Sequence, residues 1–67
     1  MKPYTLPCRI YISLRNKRRY IAQDSDGWHT TNREKAEVFN TKDRVNEAYT
    51  YHQEQGVEDS LEFEPVV

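Results

Sequence analysis

The stretch Cys8-Arg9-Ile10-Tyr11-Ile12-Ser13-Leu14, followed by Arg15-Asn16-Lys17-Arg18 and then Arg19-Tyr20-Ile21-Ala22-Gln23, decides the fold of this chain. Cys8, Ile10, Ile12 and Leu14 fall on one side of an extended backbone. Arg9, Tyr11 and Ser13 fall on the other. Alternation with a period of two over seven residues is the pattern of a half-buried strand. The run Arg15 to Arg18 breaks it, and Asn16 tolerates the positive φ that a tight turn demands. Arg19 to Gln23 then resumes as a second strand, so the segment reads as a β-hairpin with a basic tip. In that second strand Tyr20 and Ile21 offer an apolar residue to each side, and the pattern leaves open which one faces the core.

Working outward, Asp24-Ser25-Asp26-Gly27 is a turn, with Asp at its first position and Gly at its last. Trp28-His29-Thr30 follows as a short third strand. Thr31-Asn32-Arg33-Glu34 matches a capping box, in which Thr31 accepts from the residue 34 amide and Glu34 reaches back. A short helical turn through Ala36 and Val38 is expected to end near Phe39. Asn40 or Thr41 then caps a longer helix, with Asp43 in its first turn. Val45, Ala48, Tyr49 and His52 form one stripe at helical spacing, with His52 at its polar margin. Gly56 ends the helix. Leu61-Glu62-Phe63-Glu64 alternates once more and reads as a final strand stopped by Pro65. Residues 1–7 carry two prolines and read as an extended lead-in.

The expected fold is therefore α+β: a small antiparallel sheet of three or four strands with one main helix packed on one face. The whole chain, 1–67, is one domain, with 8–64 as its ordered core. At 67 residues it buries only about 60% of the surface its unfolded form exposes. The low hydrophobic fraction, 36%, is offset by 12% aromatics, which supply much of the core volume. Trp28 and Phe39 read as large core pieces, and Ala36 and Ala48 as small residues where helix meets sheet.

Charge is sorted along the chain. Residues 1–19 carry Lys2, Arg9, Arg15, Lys17, Arg18 and Arg19 and no acid. Residues 20–67 carry the other four cations against all 11 acids, so the formal net charge is only -1. A basic pole and an acidic pole on so small a chain point to recognition of a charged surface. The hairpin tip is expected to project away from the acidic end. Its candidate contact residues are Arg9, Tyr11, Arg15, Lys17, Arg18 and Arg19. Tyr11 and Tyr51 are expected to point away from the core, in the Tyr- and Arg-rich manner of protein interfaces. If the last strand lies beside the first, its acids can pair with Arg9 across the sheet.

Other chemistries are poorly served. Cys8 is the single cysteine, so no intramolecular disulfide forms. Cys8, His29 and His52 share no metal-ligand spacing, and no cofactor is expected. Asp24-x-Asp26-Gly27 echoes a calcium loop, but Lys35 stands where the closing Glu belongs. Cys8 or Ser25 with His29 lacks an orienting group and an oxyanion donor, so no enzyme is read. No run is apolar enough for a signal peptide or membrane span, which suits a cytoplasmic protein without membrane contact. A chain that opens on Met1 with no leader reads as a complete small product.

Several positions carry a family resemblance: Tyr20-Ile21-Ala22, Asp26-Gly27-Trp28, Thr30-Thr31, Glu34-x-Ala36-x-x-Phe39, Asn40-Thr41, Ala48 in the helix, and an acidic last strand ending Pro65-Val66-Val67. The pattern resembles that of small uncharacterised bacterial and prophage-encoded proteins built around glycine-tryptophan-threonine, alanine-x-x-phenylalanine and a helical alanine. The resemblance implies a sheet-plus-helix module of phage type and brings no catalytic residues. The expected role is a non-enzymatic accessory or regulatory protein that binds a larger protein partner. The alternative is a nucleic-acid-binding module whose basic hairpin neutralises phosphates, although the sequence pI of about 6.1 is low for one. A homodimer, formed through an open sheet edge or by a basic turn meeting an acidic end, serves either reading.

Overall fold

The computed structural model describes residues 1–67. Three strands lead, β1 (Cys8–Leu14), β2 (Lys17–Asp24) and β3 (Gly27–Thr31). A 3-10 turn (Arg33–Lys35), the helix α1 (Lys42–Glu54), a second 3-10 turn (Glu58–Ser60) and β4 (Leu61–Pro65) follow. The strands form one antiparallel sheet in the order β3-β2-β1-β4. The expected α+β architecture is present, with the full complement of four strands.

The hairpin is tighter than its sequence pattern suggests. Only Arg15 and Asn16 form the turn, with φ of 50° and 67°. Two positive φ values match the twist of a two-residue hairpin. Lys17 and Arg18 therefore belong to β2, opposite Leu14 and Ser13.

One side of the sheet carries the core. Cys8, Ile10, Ile21 and Leu61 pack with Phe39 and with Val45 and Ala48 of α1. Tyr4, Ile12, Trp28, Tyr49 and Phe63 close its margins. The helix begins where Thr41 Oγ1 accepts from the Arg44 amide, which settles the choice between Asn40 and Thr41. It ends at Gly56, whose φ of +74° suits a residue without Cβ. His52 is buried, not marginal, with Nδ1 2.7 Å from the Ala48 carbonyl. Tyr51 does not stand clear of the core: its ring tilts against Trp28 and meets His52 edge-on.

The capping box does not form. Tyr20 pairs with Thr31 in the sheet, so Thr31 stays extended and the cap moves one residue on. Asn32 Oδ1 accepts from the Lys35 amide instead. The helical turn also stops at Lys35, and Ala36 is already extended. The reason lies in the sheet. The paired register of β1 and β2 runs only from Tyr11↔Tyr20 to Leu14↔Lys17. The Glu37 amide donates to the Ile21 carbonyl, while Phe39 exchanges both backbone hydrogen bonds with Cys8. Residues 37–39 thus satisfy backbone groups on both flanking strands, which a helical turn would leave unpaired. The same pairing drops the Phe39 ring, fully buried, into the centre of the core.

Phe39→Ala removes the largest fully buried side chain. It should cost about 3 to 5 kcal/mol, against a total of about 3 to 10 kcal/mol for a domain of this size. Thr41→Ala should cost about 1 kcal/mol through loss of the cap. Urea unfolding followed by the fluorescence of the single tryptophan, Trp28, measures both.

Candidate functional site: the open face of the sheet

The register that turns Ile10, Ile12, Phe63 and Leu61 toward α1 turns Arg9, Tyr11, Glu62 and Glu64 the other way. Tyr11 stands opposite Tyr20, and Ser13 opposite Arg18, so β2 adds Arg18 and Tyr20 to the same open face. The choice between Tyr20 and Ile21 is thereby answered by both. Ile21 is fully buried on the helix side, and Tyr20, 4% exposed, is buried on the open side.

Glu64 is the centre of this face. Its Oε2 accepts from the Tyr20 hydroxyl at 2.5 Å and from Arg18 Nη1 at 3.0 Å. Its Oε1 accepts from Arg33 Nε at 2.8 Å, and Arg9 Nη1 lies 3.6 Å away. The side chain is only 14% exposed. The Tyr20 hydroxyl first, then Arg33 and Arg18, hold its carboxyl below the usual glutamate range, outweighing the upward push of partial burial. The Arg18 guanidinium lies 4.3 Å above the Tyr11 ring, and the Tyr11 and Tyr20 rings stand 5.5 Å apart. At the flank, Lys2 Nζ binds Glu62 at 2.6 Å.

Three guanidiniums share one carboxylate, leaving a surplus of two positive charges on a tyrosine-paved surface. The Arg9 side chain makes no hydrogen bond within the molecule. Its Nε is buried without an acceptor, and its contact with Glu64 is purely electrostatic. Such a face can take a carboxylate or another anionic oxygen by forked hydrogen bonds, with the tyrosine rings supplying apolar contact.

The six candidate residues from the sequence are not one cluster. Arg9, Tyr11 and Arg18 come together on the open face. Arg19 and Lys17 stand opposite Ile12 and Leu14, on the helix side, and Arg15 sits in the turn. All three of these last cations are exposed. Nor does the hairpin stand apart from the acidic end, because Arg18 reaches Glu64 on the last strand. Sequence reading missed Arg33 as a member altogether. The Arg9–Glu64 pairing was signalled by the alternation of both strands; Arg33 had no comparable signal, since it arrives from a turn 31 residues before Glu64. Cys8 is a core residue, and burial pushes its thiol pKa up, away from nucleophile character. No helix is long and apolar enough to cross a membrane.

Fold and site together define a small α+β module with a polar, arginine–tyrosine sheet face. No family model, curated protein or solved structure matches the chain.

Because the folded Glu64 pKa is depressed, its contribution to stability is complete above the ordinary glutamate pKa of about 4.3. That contribution is lost as pH falls through the lower folded value. Glu64→Gln should therefore destabilise the protein most at neutral pH, and the gap to the native chain should close in acid. Tyr20→Phe should raise the Glu64 pKa toward normal, as read by carboxyl-detected NMR titration. An unchanged Glu64 titration would show that the Tyr20 hydroxyl is not its main partner.

Proposed function

We propose that this protein is a non-enzymatic accessory module that binds an acidic surface of a larger protein through the open face of its sheet. The observation that carries the reading is the preassembled set of Arg9, Arg18, Arg33 and Tyr20 gathered on Glu64, with the Tyr11 ring beneath Arg18. Arg and Tyr are the residues that concentrate binding energy at protein interfaces. Guanidiniums already ordered by an internal carboxylate lose less freedom on binding. The Arg9 guanidinium, 3.6 Å from Glu64 and on a side chain 20% exposed, leaves an incoming carboxylate a place to dock. The free, buried thiol of Cys8 suits the reducing cytoplasm, and the pattern resemblance suits an accessory protein of phage or prophage origin.

The unpaired tip cations Arg15, Lys17 and Arg19 favour a second reading, a basic hairpin laid along nucleic-acid phosphates. It ranks behind because the fourth tip cation, Arg18, is spent on Glu64, and the others divide between the turn and the helix side.

Selection from a displayed random-peptide library on the immobilised protein should return acidic sequences. Tyr11→Ala or Arg9→Ala should weaken the winning peptide by about tenfold, or ~1.4 kcal/mol, and Arg15→Ala should leave it unchanged. A selection with no acidic consensus would overturn the reading. Anisotropy with labelled duplex and single-stranded probes at about 100 mM salt is the opposing test. Binding there whose salt slope falls by about one per tip cation removed would move the assignment to nucleic acid.

A further inference from the structure

The two edges of the sheet are treated differently. The β4 edge is dressed by the N-terminal arm: Lys2 Nζ donates to the Asp59 and Leu61 carbonyls, and Tyr4 stacks on Phe63 at 4.9 Å. Pro65, at the end of that strand, has no amide to offer. The β3 edge has none of this. It is the last strand in the order, and Gly27–Thr31 make backbone hydrogen bonds only to β2. It contains no proline or lysine, the residues that commonly guard an exposed edge.

Beside this edge, on the helix side, lies an open groove of about 610 Å³. Trp28 of β3 and Gln23, its partner on β2, form one wall. Tyr51 and the carboxylates of Asp43, Glu47 and Glu54 on α1 form the other. Beside this lining Arg44 lies 4.9 Å over the Trp28 ring, held by both carboxylate oxygens of Glu37 and also bonding Gln23 and Glu47. Asp43 and Glu54 have no partner and are exposed.

We propose that the β3 edge and this groove form a docking site for a basic, extended segment of a partner protein, added as a fifth antiparallel or parallel strand. The edge supplies main-chain hydrogen bonds, and alternate side chains of the added strand face α1. Lys or Arg at those positions meets Asp43, Glu54 and the Trp28 and Tyr51 rings. A second copy of this chain is the wrong occupant. Antiparallel pairing of β3 with β3 places two helices on the same side of a continuous sheet, and each brings the same carboxylates toward the junction. The site is separate from the open face and takes the opposite charge.

The probe is a synthetic peptide alternating Lys with Val, capped at both ends, titrated into the ¹⁵N-labelled full chain. Shifts should centre on the Gly27–Thr31 amides and the Trp28 indole, and a Glu/Val peptide should not produce them. N-methylating alternate residues along one edge of the peptide should abolish binding, while methylating the other edge should spare it. Asp43→Lys with Glu54→Lys should weaken binding by about tenfold or more, both positions being exposed and remote from the core. Overturning results are no binding, indifference to which edge is methylated, or shifts centred on Tyr11 and Tyr20. Sedimentation showing a dimer with protected β3 amides would assign the edge to a second copy and also overturn the proposal. Acidic-peptide binding at the open face is read by different resonances, so either site can fail without the other.

Discussion

The pairing of β1 with β4 is the constraint on which the rest of this structure depends. It sets Ile10 against Phe63 and Ile12 against Leu61 beneath the helix, and Arg9 against Glu64 on the opposite face. The side-chain period of a strand is two, so a slip of one residue would drive Glu64 into the core and expose Phe63. The register is therefore fixed by burial on one face and by charge on the other. It also joins the two poles of the sequence: the acidic last strand lies directly beside the first, basic one. Charge segregation along the chain becomes charge pairing in space.

A four-stranded sheet with one helix has only one covered face, and a chain of 67 residues has nothing left to cover the second. Here that second face is closed by long side chains. Tyr20 is buried without any helix above it, beneath a layer made by Tyr11, Arg18 and the Glu64 network. Arginine and tyrosine suit this work because an apolar or planar body covers the sheet while a polar end remains in water. The helix side repeats the device on a smaller scale, with Arg44 lying over Trp28 at the margin of the core.

What could be read from the sequence was local. The alternation in Cys8–Leu14 and Leu61–Glu64, the turn at Asp24–Gly27 and the stripe Val45, Ala48, His52 each sit within one element and carry their own period. What could not be read was decided by residues far away. Thr31 has the better capping pattern, yet its pairing with Tyr20 holds it in the sheet and Asn32 caps instead. Ala36 to Phe39 has helical spacing, yet the unpaired backbone of Cys8 and Ile21 draws it out straight. Tyr20 and Ile21 looked like alternatives because a two-layer fold was assumed to have one interior. The candidate site followed the same rule: Arg9 and Tyr11 came from one strand's alternation, while Arg33 needed the chain to return from a distant turn.

Stability alone does not explain the arginine cluster. Exposed ion pairs contribute little, and Arg18 and Arg33 are both more than half exposed. A face tiled with apolar residues would bury Tyr20 as well, but it would present a flat hydrophobic surface beside an unguarded β3 edge, a combination prone to aggregation. The network avoids that by keeping the face polar, and it does so with more positive charge than the single carboxylate neutralises. Three guanidiniums where one would balance Glu64, and an Arg9 whose donors meet no acceptor, exceed what covering Tyr20 requires. The excess lies on the side of the sheet opposite α1 and its exposed carboxylates Asp43 and Glu54. That placement is created by strand register, the same alternation that turns Phe63 and Leu61 toward the helix.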